Sequence, residues 1–379
     1  MKSGRRIIHY DFNDLNYAGF YLSGLLENAP ESHYELVISR AVPDILRDPT
    51  MEGPWRALLF SVCLFKATLE DEEFYFCIDT RDSAEADPSR GMGYHLPLLR
   101  RVKYYFKVNY NEAAVLRDPD LRAYASKIIP APPCFGLRCR PRSRFLPRIT
   151  PCRVTGWRRR DAVKRARDML RQLGLEEVRC LRSSKKKFDL FFFMMFYNDP
   201  AHAPHNEFRY RVMKEIRKHC PDSSVTAFAS RGNLPGKFAE FQASPCSPRV
   251  HARALASSRL AVYVRGLYDC VSFKLPQYLA LGLPVVGQTI ANNQEMLYEN
   301  PYFREQFAYN DPERIVREAM ELLARPERLR MLARSNARVF DSTFTPRAAV
   351  ADILSTVLGH AKERRASREV AIAAGPALA

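Results

Sequence analysis

Residues 260–288 read LAVYVRGLYDCVSFKLPQYLALGLPVVGQ. A run of apolar residues ends at Val264, as a buried strand does, and a loop follows that carries Arg265, Gly266 and Asp269. Ser272 can cap a helix whose first turn holds Phe273, Lys274, Leu275 and Pro276, since a hydroxyl suits the cap and proline suits a first turn. The amides of that turn have no partner within the helix, and the helix dipole leaves its start mildly positive. With Lys274 and Arg265 added, the spacing predicts an anion site suited to a phosphate or diphosphate. As solvated surface charges, the same two side chains would need no ligand. Gly282 supplies a stop, and Leu283 to Val286 begin the next buried strand. In an open α/β sheet, loops at the carboxyl ends of strands are where ligands bind.

The same rhythm extends outward. Upstream come a basic amphipathic helix over Arg158 to Leu173, an apolar strand at Phe188 to Tyr197, a helix at Glu207 to His219, a strand at Ser224 to Phe228 and a helix at Arg249 to Ala256. Downstream are helices at Glu313 to Ala324, Glu327 to Phe340 and Arg347 to Leu358. The first third alternates as well, with a strand expected at Ile7 to Tyr10, a helix at Tyr17 to Leu26, strands or short helices at Tyr34 to Ser39, Ala57 to Leu64 and Phe74 to Asp79, and an aromatic run at Tyr104 to Val108. Prolines 130, 132, 133, 141, 147 and 151 interrupt this pattern where neither helix nor central strand tolerates them. The reading is therefore α/β in two domains: residues 1–129, a Pro/Arg-rich linker at 130–157, a second domain at 158–345, and a closing helix with a tail at 346–379.

Composition narrows the class. The 379 residues include 59 Lys and Arg against 42 Asp and Glu, a net charge of +17. Thirteen of the basic residues lie between Arg138 and Arg171, against only Asp161 and Asp168. An anionic partner or surface is expected there. Nine cysteines, an odd number, show no C-x-x-C pair and lie partly in apolar runs, which fits unpaired thiols in a reducing compartment. Met1 to Asp14 has no apolar stretch of a signal peptide, and runs such as Leu190 to Tyr197 are far short of the ~20 residues that cross a bilayer. A cytoplasmic protein is expected, with peripheral contact to the inner face of a membrane through 138–171.

The run Ser272 to Val286, and the chain from about 250 to 358 with Asp311-Pro312-Glu313 and Arg325-Pro326-Glu327, resembles the donor-binding half of GT-B glycosyltransferases, specifically the large retaining group that uses nucleotide sugars. The resemblance implies two Rossmann-like domains facing a cleft. It also implies transfer of a sugar from a nucleotide-sugar donor to a glycan or lipid-linked acceptor, in cell-surface polysaccharide or glycolipid assembly, without metal or other cofactor. The family's paired glutamates fall here on Asp269, which would meet the donor sugar, and on Gln277, which would accept from a ribose hydroxyl. The family's glycine-rich loop is replaced by Phe196-Tyr197-Asn198-Asp199-Pro200. Arg231 and Lys237 stand where a basic pair would neutralise the departing diphosphate; with Lys274, Arg265 and Ser272 they complete the expected phosphate site.

In the first domain, Phe76 to Asp82 places two carboxylates at the end of an apolar strand, where they can meet sugar hydroxyls or act as a base. Asp79 is the preferred catalytic candidate beside Asp269, with Asp82, His95 and Lys107 on the acceptor side; each could equally be structural. A nucleic-acid-binding protein is the main rival reading, carried by the basic segment and Tyr104 to Lys107, although no helix-turn-helix, RNA-recognition or finger signature accompanies them. A catalytically inert GT-B scaffold is the other.

Overall fold

The structure, a computed structural model, describes residues 5–10, 15–39, 41–51, 54–69, 72–86, 93–138 and 159–359. The linker from 139 onward, most of the basic segment and the tail after 359 lie outside the described residues.

Two sheets organise the chain. The first holds β1 (Arg5–Tyr10), β2 (Tyr34–Ser39), β3 (Val62–Leu69), β4 (Glu72–Asp79), β5 (Tyr104–Lys107) and β6 (Ile128–Pro130) in the spatial order β2-β1-β3-β4-β5-β6. Here β3 runs antiparallel to both β1 and β4, while the other neighbours pair in parallel. The expected crossover rhythm is thus broken once. Only residues 70 and 71 separate β3 from β4, which leaves room for a hairpin turn and not for a helix. The segment Ala57 to Leu64, expected as a strand or a short helix, holds both: helical turns over Pro54–Ala57 and Leu58–Ser61 lead into β3 at Val62.

The second sheet is wholly parallel among the described residues. It holds β7 (Phe188–Met195), β8 (Ser224–Ala229), β9 (Gln242–Ala243), β10 (Ser258–Tyr263) and β11 (Val285–Gly287) in the order β11-β10-β7-β8-β9. The apolar run at β7 reflects burial on both faces: Leu190, Phe192 and Met194 join one core cluster, and Phe191 joins the other. Chain order runs outward from β7 in one direction and returns to its other side at β10, so a crevice opens between the carboxyl ends of these two strands.

Two contacts hold the halves in place. Helix Leu15–Asn28 lies against helix Pro346–Val357, and Gly24 permits their approach, because a Cβ there would stand 2.0 Å from the Pro346 carbonyl oxygen. Asn28 Nδ2 donates to the Arg347 carbonyl at 2.9 Å across the same seam. Nearer the crevice, Asn109, just after β5, accepts from the Val271 amide at 2.8 Å. Asn293 has a left-handed backbone (φ 54) that turns its amide toward the Tyr110 carbonyl at 2.7 Å. Its side chain donates to the carbonyls of Val108 and Ala131.

Candidate functional site

Helix Ala203–His219 follows β7 and buries Arg209, Val212, Met213 and Ile216 on one face. Arg209 is 3% exposed. Its guanidinium spans the crevice, donating from Nη1 to the Met195 carbonyl at 3.1 Å and from Nη2 to the Arg265 carbonyl at 3.3 Å, while Nε is buried without a partner. The Tyr197 ring lies 4.8 Å from it, and Asn206 pins that tyrosine by accepting from its amide at 3.2 Å and donating to its carbonyl at 2.7 Å. Sequence reasoning missed Arg209. The available signal was a lone arginine on an otherwise apolar helical face, at i, i+3, i+4 and i+7 spacing to Val212, Met213 and Ile216.

Lys274 approaches from the other side. Its Nζ donates to the Phe193 carbonyl at 2.6 Å and sits 3.0 Å from Met194 Sδ. Burial, reinforced by the Arg209 charge, lowers its pKa to about 7. Burial and the Lys274 charge together push His251 down to about 3, which keeps that imidazole neutral. Among the described residues, no carboxylate pairs with Arg209 or Lys274; both cations are held by neutral groups alone. A buried cation so placed retains a strong demand for an anion.

Lys274 and Gln277 line one cavity of about 320 Å³ at the carboxyl ends of β7 and β8, with Met195, Ala229, Cys246 and Phe273 among its walls. Phe135 and Gly136 close it from the segment that leaves the first sheet. The helix behind it, Lys274–Ala280, starts one residue later than expected: Phe273 is the cap, and the Ser272 hydroxyl only meets the Lys274 amide at 3.4 Å. Gly282 ends that helix with φ +61.

Arg265 and Asp269 belong to a second, smaller cavity of about 190 Å³, which Arg209 also lines. They pair with one another at 3.1 Å, and Arg265 also donates from Nε to the Thr289 carbonyl at 2.6 Å. Tyr268 and Asp269 both hold positive φ (55 and 57), a conformation that aspartate tolerates and that is strained for the tyrosine. Arg231 is exposed in the loop two residues beyond Ala229. Lys237 is ion-paired to Glu207 at 2.8 Å and lies over the Tyr210 ring, and it is not among the residues that line the Lys274 cavity.

On the facing half, the catalytic candidate Asp79 sits inside an ion cluster of the core. It is fully buried and saturated, with Arg81 at 3.0 Å, Lys107 at 3.2 Å and the Tyr105 hydroxyl donating to it. Burial alone would raise its pKa, but the two cations outweigh burial and hold it far below the usual carboxylate range. Lys107 is spent on Asp79 and on the Arg81 carbonyl at 3.0 Å, and burial lowers it to about 8. His95 caps helix Leu96–Arg101, where Nδ1 accepts from the Leu98 amide at 3.2 Å and Nε2 meets the Trp55 carbonyl at 3.0 Å. Neither Lys107 nor His95 is free to meet an acceptor. Asp82, three residues beyond Asp79, differs: it is half-buried, its carboxyl meets the Cys270 thiol across the seam, and burial raises its pKa to about 6.

Among the described residues no group of three or more His, Cys, Asp or Glu side chains could hold a metal ion. No helix among them is long and apolar enough to cross a membrane.

No family model and no curated protein matches the chain. Among solved structures it is similar to S. aureus TarM, crystallised with fondaparinux, α-GlcNAc-glycerol and UDP, at 8% identity and a TM-score of 0.43 over 74% of this chain. The chain spans half the length of that TarM chain. It is also similar to UDP-GlcNAc 2-epimerase from Neisseria meningitidis bound to UDP-GlcNAc, at 12% identity and a TM-score of 0.39 over 74% of this chain and 69% of that one. A third similarity is to WaaG, a glycosyltransferase involved in lipopolysaccharide biosynthesis, at 10% identity and a TM-score of 0.38 over 91% of this chain and 97% of that one.

Proposed function

We propose that the chain is a GT-B-type glycosyltransferase that binds a nucleotide-sugar donor in the crevice between β7 and β10. The observation that carries this reading is the pair of buried cations, Arg209 and Lys274, with neutral partners only, beside a cavity that Gln277 lines. A nucleoside diphosphate supplies the missing negative charge, and its nucleoside half fits a largely apolar cavity with a few polar groups. As the donor bond breaks, negative charge grows on the diphosphate, and Arg209, joined by Lys274 once the bound diphosphate favours its charged form, stabilises that charge. Arg231, Arg265 and Ser272 border this region as further candidates, with Gln277 offered to the ribose and Asp269 to the sugar. The acceptor would enter from the first sheet's side as a glycan or lipid-linked sugar of cell-surface polysaccharide or glycolipid assembly. Exposed Arg160, Lys164, Arg167 and Arg171 on helix Arg159–Arg171 suit an anionic membrane that carries it. The reaction so read needs no metal, because the side-chain cations take over charge neutralisation.

The test is ligand-linked thermal stability across UDP, GDP, ADP, CMP and their sugar conjugates. One nucleotide series should raise Tm with concentration, as linkage requires. No shift with any nucleotide would remove the proposal.

A further inference from the structure

The chain that walls the Lys274 cavity with Phe135 and Gly136 goes on to wall a second, polar cavity of about 410 Å³ with Leu137 and Arg138. Helix Leu15–Asn28 contributes Ser23 and Glu27 to it, and the start of helix Pro346–Val357 contributes Thr345 and Arg347. None of the residues assigned to the donor lines it. Two of its polar groups lack partners. Arg138 is 8% exposed and donates from Nη2 to Glu177 at 2.6 Å, but its Nε is buried with nothing to donate to. Glu27 enters no ion pair among the described residues, because the arginines that face it are engaged elsewhere. Arg347 pairs with Glu31 at 2.5 Å, and Arg179 pairs with Glu176 at 2.7 Å and Asp341 at 3.1 Å. The two hydroxyls are each half used. Thr345 Oγ1 accepts from the Ala348 amide at 3.2 Å and keeps its proton to donate, whereas Ser23 donates to the Gly19 carbonyl at 2.8 Å and keeps its lone pairs.

We infer that this cavity is a binding site for a neutral sugar, separate from the crevice. Among the described residues three arginines (138, 179 and 347) and three carboxylates (27, 176 and 341) line it, so a ligand with net charge would meet as many like charges as opposite ones. No aromatic ring is among its described walls, which makes it a poor match for a nucleobase. What its lining lacks is one acceptor for Arg138 and one donor for Glu27. Sugar hydroxyls are close together, uncharged and able to do both, so one hydroxyl accepts from Arg138 Nε while another donates to Glu27. Thr345 and Ser23 offer the same pairing a second time. Leaving Arg138 Nε unsatisfied costs free energy that such a ligand recovers. The inference is independent of the nucleotide-sugar reading, since no crevice residue enters it.

The experiment titrates the full chain with glucose, galactose and N-acetylglucosamine and follows saturation-transfer difference NMR. At least one of these sugars should bind, and equimolar serine or inorganic phosphate should leave its signal unchanged. Glu27→Ala should weaken that sugar about tenfold, the loss expected when a hydrogen bond to a charged group is removed. Arg138→Lys, which keeps a charge beside Glu177 and removes Nε, should weaken it to a similar degree. Lys274→Ala, in the other cavity, should leave the affinity within about twofold, as distant sites do. Absence of a signal with all three sugars overturns the inference. So does displacement by serine or phosphate, which would make the ligand a zwitterion or an anion. Affinity that is unchanged in Glu27→Ala, or that falls only in Lys274→Ala, overturns it as well, the latter by placing the sugar in the crevice. If Arg138→Lys fails to fold, Glu27→Ala decides.

Discussion

Asn293 Nδ2 donates to the Ala131 carbonyl at 3.0 Å, joining the loop after β11 to the segment that leaves the first sheet after β6. The same side chain also serves Val108 and accepts from the Tyr110 amide at 3.3 Å, so one residue closes the seam beside the crevice. Its left-handed backbone is one that asparagine tolerates better than most residues. Asn293→Ala leaves buried carbonyls unpaired and adds backbone strain, and it should cost about 2–4 kcal/mol of stability. Asn293→Gly relieves the strain and should lose less. Urea unfolding of both variants checks the order; equal losses would show that the strain is unimportant.

Lys274→Ala should weaken nucleoside-diphosphate binding roughly ten- to a hundredfold, the worth of about 1.5–3 kcal/mol in a charge-assisted contact. The pH dependence has a definite sign. With its pKa lowered to about 7, the free lysine is largely neutral at pH 8, and a bound diphosphate favours the charged form. Binding should therefore take up a proton above pH 7, and affinity should fall as pH rises from 7 to 9. Calorimetry at pH 8 in buffers of different ionisation enthalpy measures the uptake. A buffer-independent enthalpy would show that Lys274 does not change protonation on binding.

Cys246 is exposed and lines the Lys274 cavity, whereas Cys180 is exposed elsewhere. Saturating nucleotide should slow alkylation of Cys246 by iodoacetamide at least fivefold and leave Cys180 unchanged. Peptide mass spectrometry distinguishes the two sites. Equal protection of both would indicate a general change in the protein and not occupancy of this cavity.

Asp79→Asn removes the anion from a fully buried cluster that still contains Arg81 and Lys107, and it should cost about 3–5 kcal/mol. A depressed carboxylate pKa contributes stability that is present above its unfolded value, near 4, and is lost as pH falls. The parent should therefore lose stability below pH 4 more steeply than the variant. Denaturant midpoints at pH 3 and 7 test this. A variant as stable as the parent at pH 7 would mean that the ion cluster has a ready substitute.

Much of this architecture is legible in the residues themselves. The run Phe188 to Met195 reads as a doubly covered strand because apolar side chains fill both of its faces, and Gly282 marks the helix end by the φ it must adopt. The β3–β4 hairpin was obscured because the apolar residues before Val62 form helical turns continuous in composition with the strand. Asp79 and Asp82 look alike in sequence, three residues apart; burial, Arg81 and Lys107 separate their roles only once β4 and β5 are paired. Lys237 reads in the sequence as a solvated helix charge at least as well as a phosphate ligand, and its partner Glu207, thirty positions earlier, is visible only in the fold. Arg209 depends on two carbonyls, that of Met195 at the end of β7 and that of Arg265 in the loop after β10, which no local pattern brings together.

Asp82 provides a stability prediction opposite in sign to that of Asp79. Its carboxyl is raised to about 6 by burial, against an unfolded value near 4. Above pH 6 the group is ionised in both states, so the folded protein bears the whole cost of the buried charge. Below pH 4 it is protonated in both states and that cost is gone. Its contribution to stability accordingly falls as pH rises from 4 to 6. Asp82→Asn removes the charge and should be more stable than the parent by about 1–2 kcal/mol at pH 7.5, part of the cost of burying the charge being offset because the Cys270 contact is weakened with it. The gain should shrink to nothing as pH approaches 4. Thermal and urea unfolding across pH 4–8 would show the two curves converging at low pH. Parallel curves, or a variant less stable at pH 7.5, would mean that the carboxylate is stabilised where it stands.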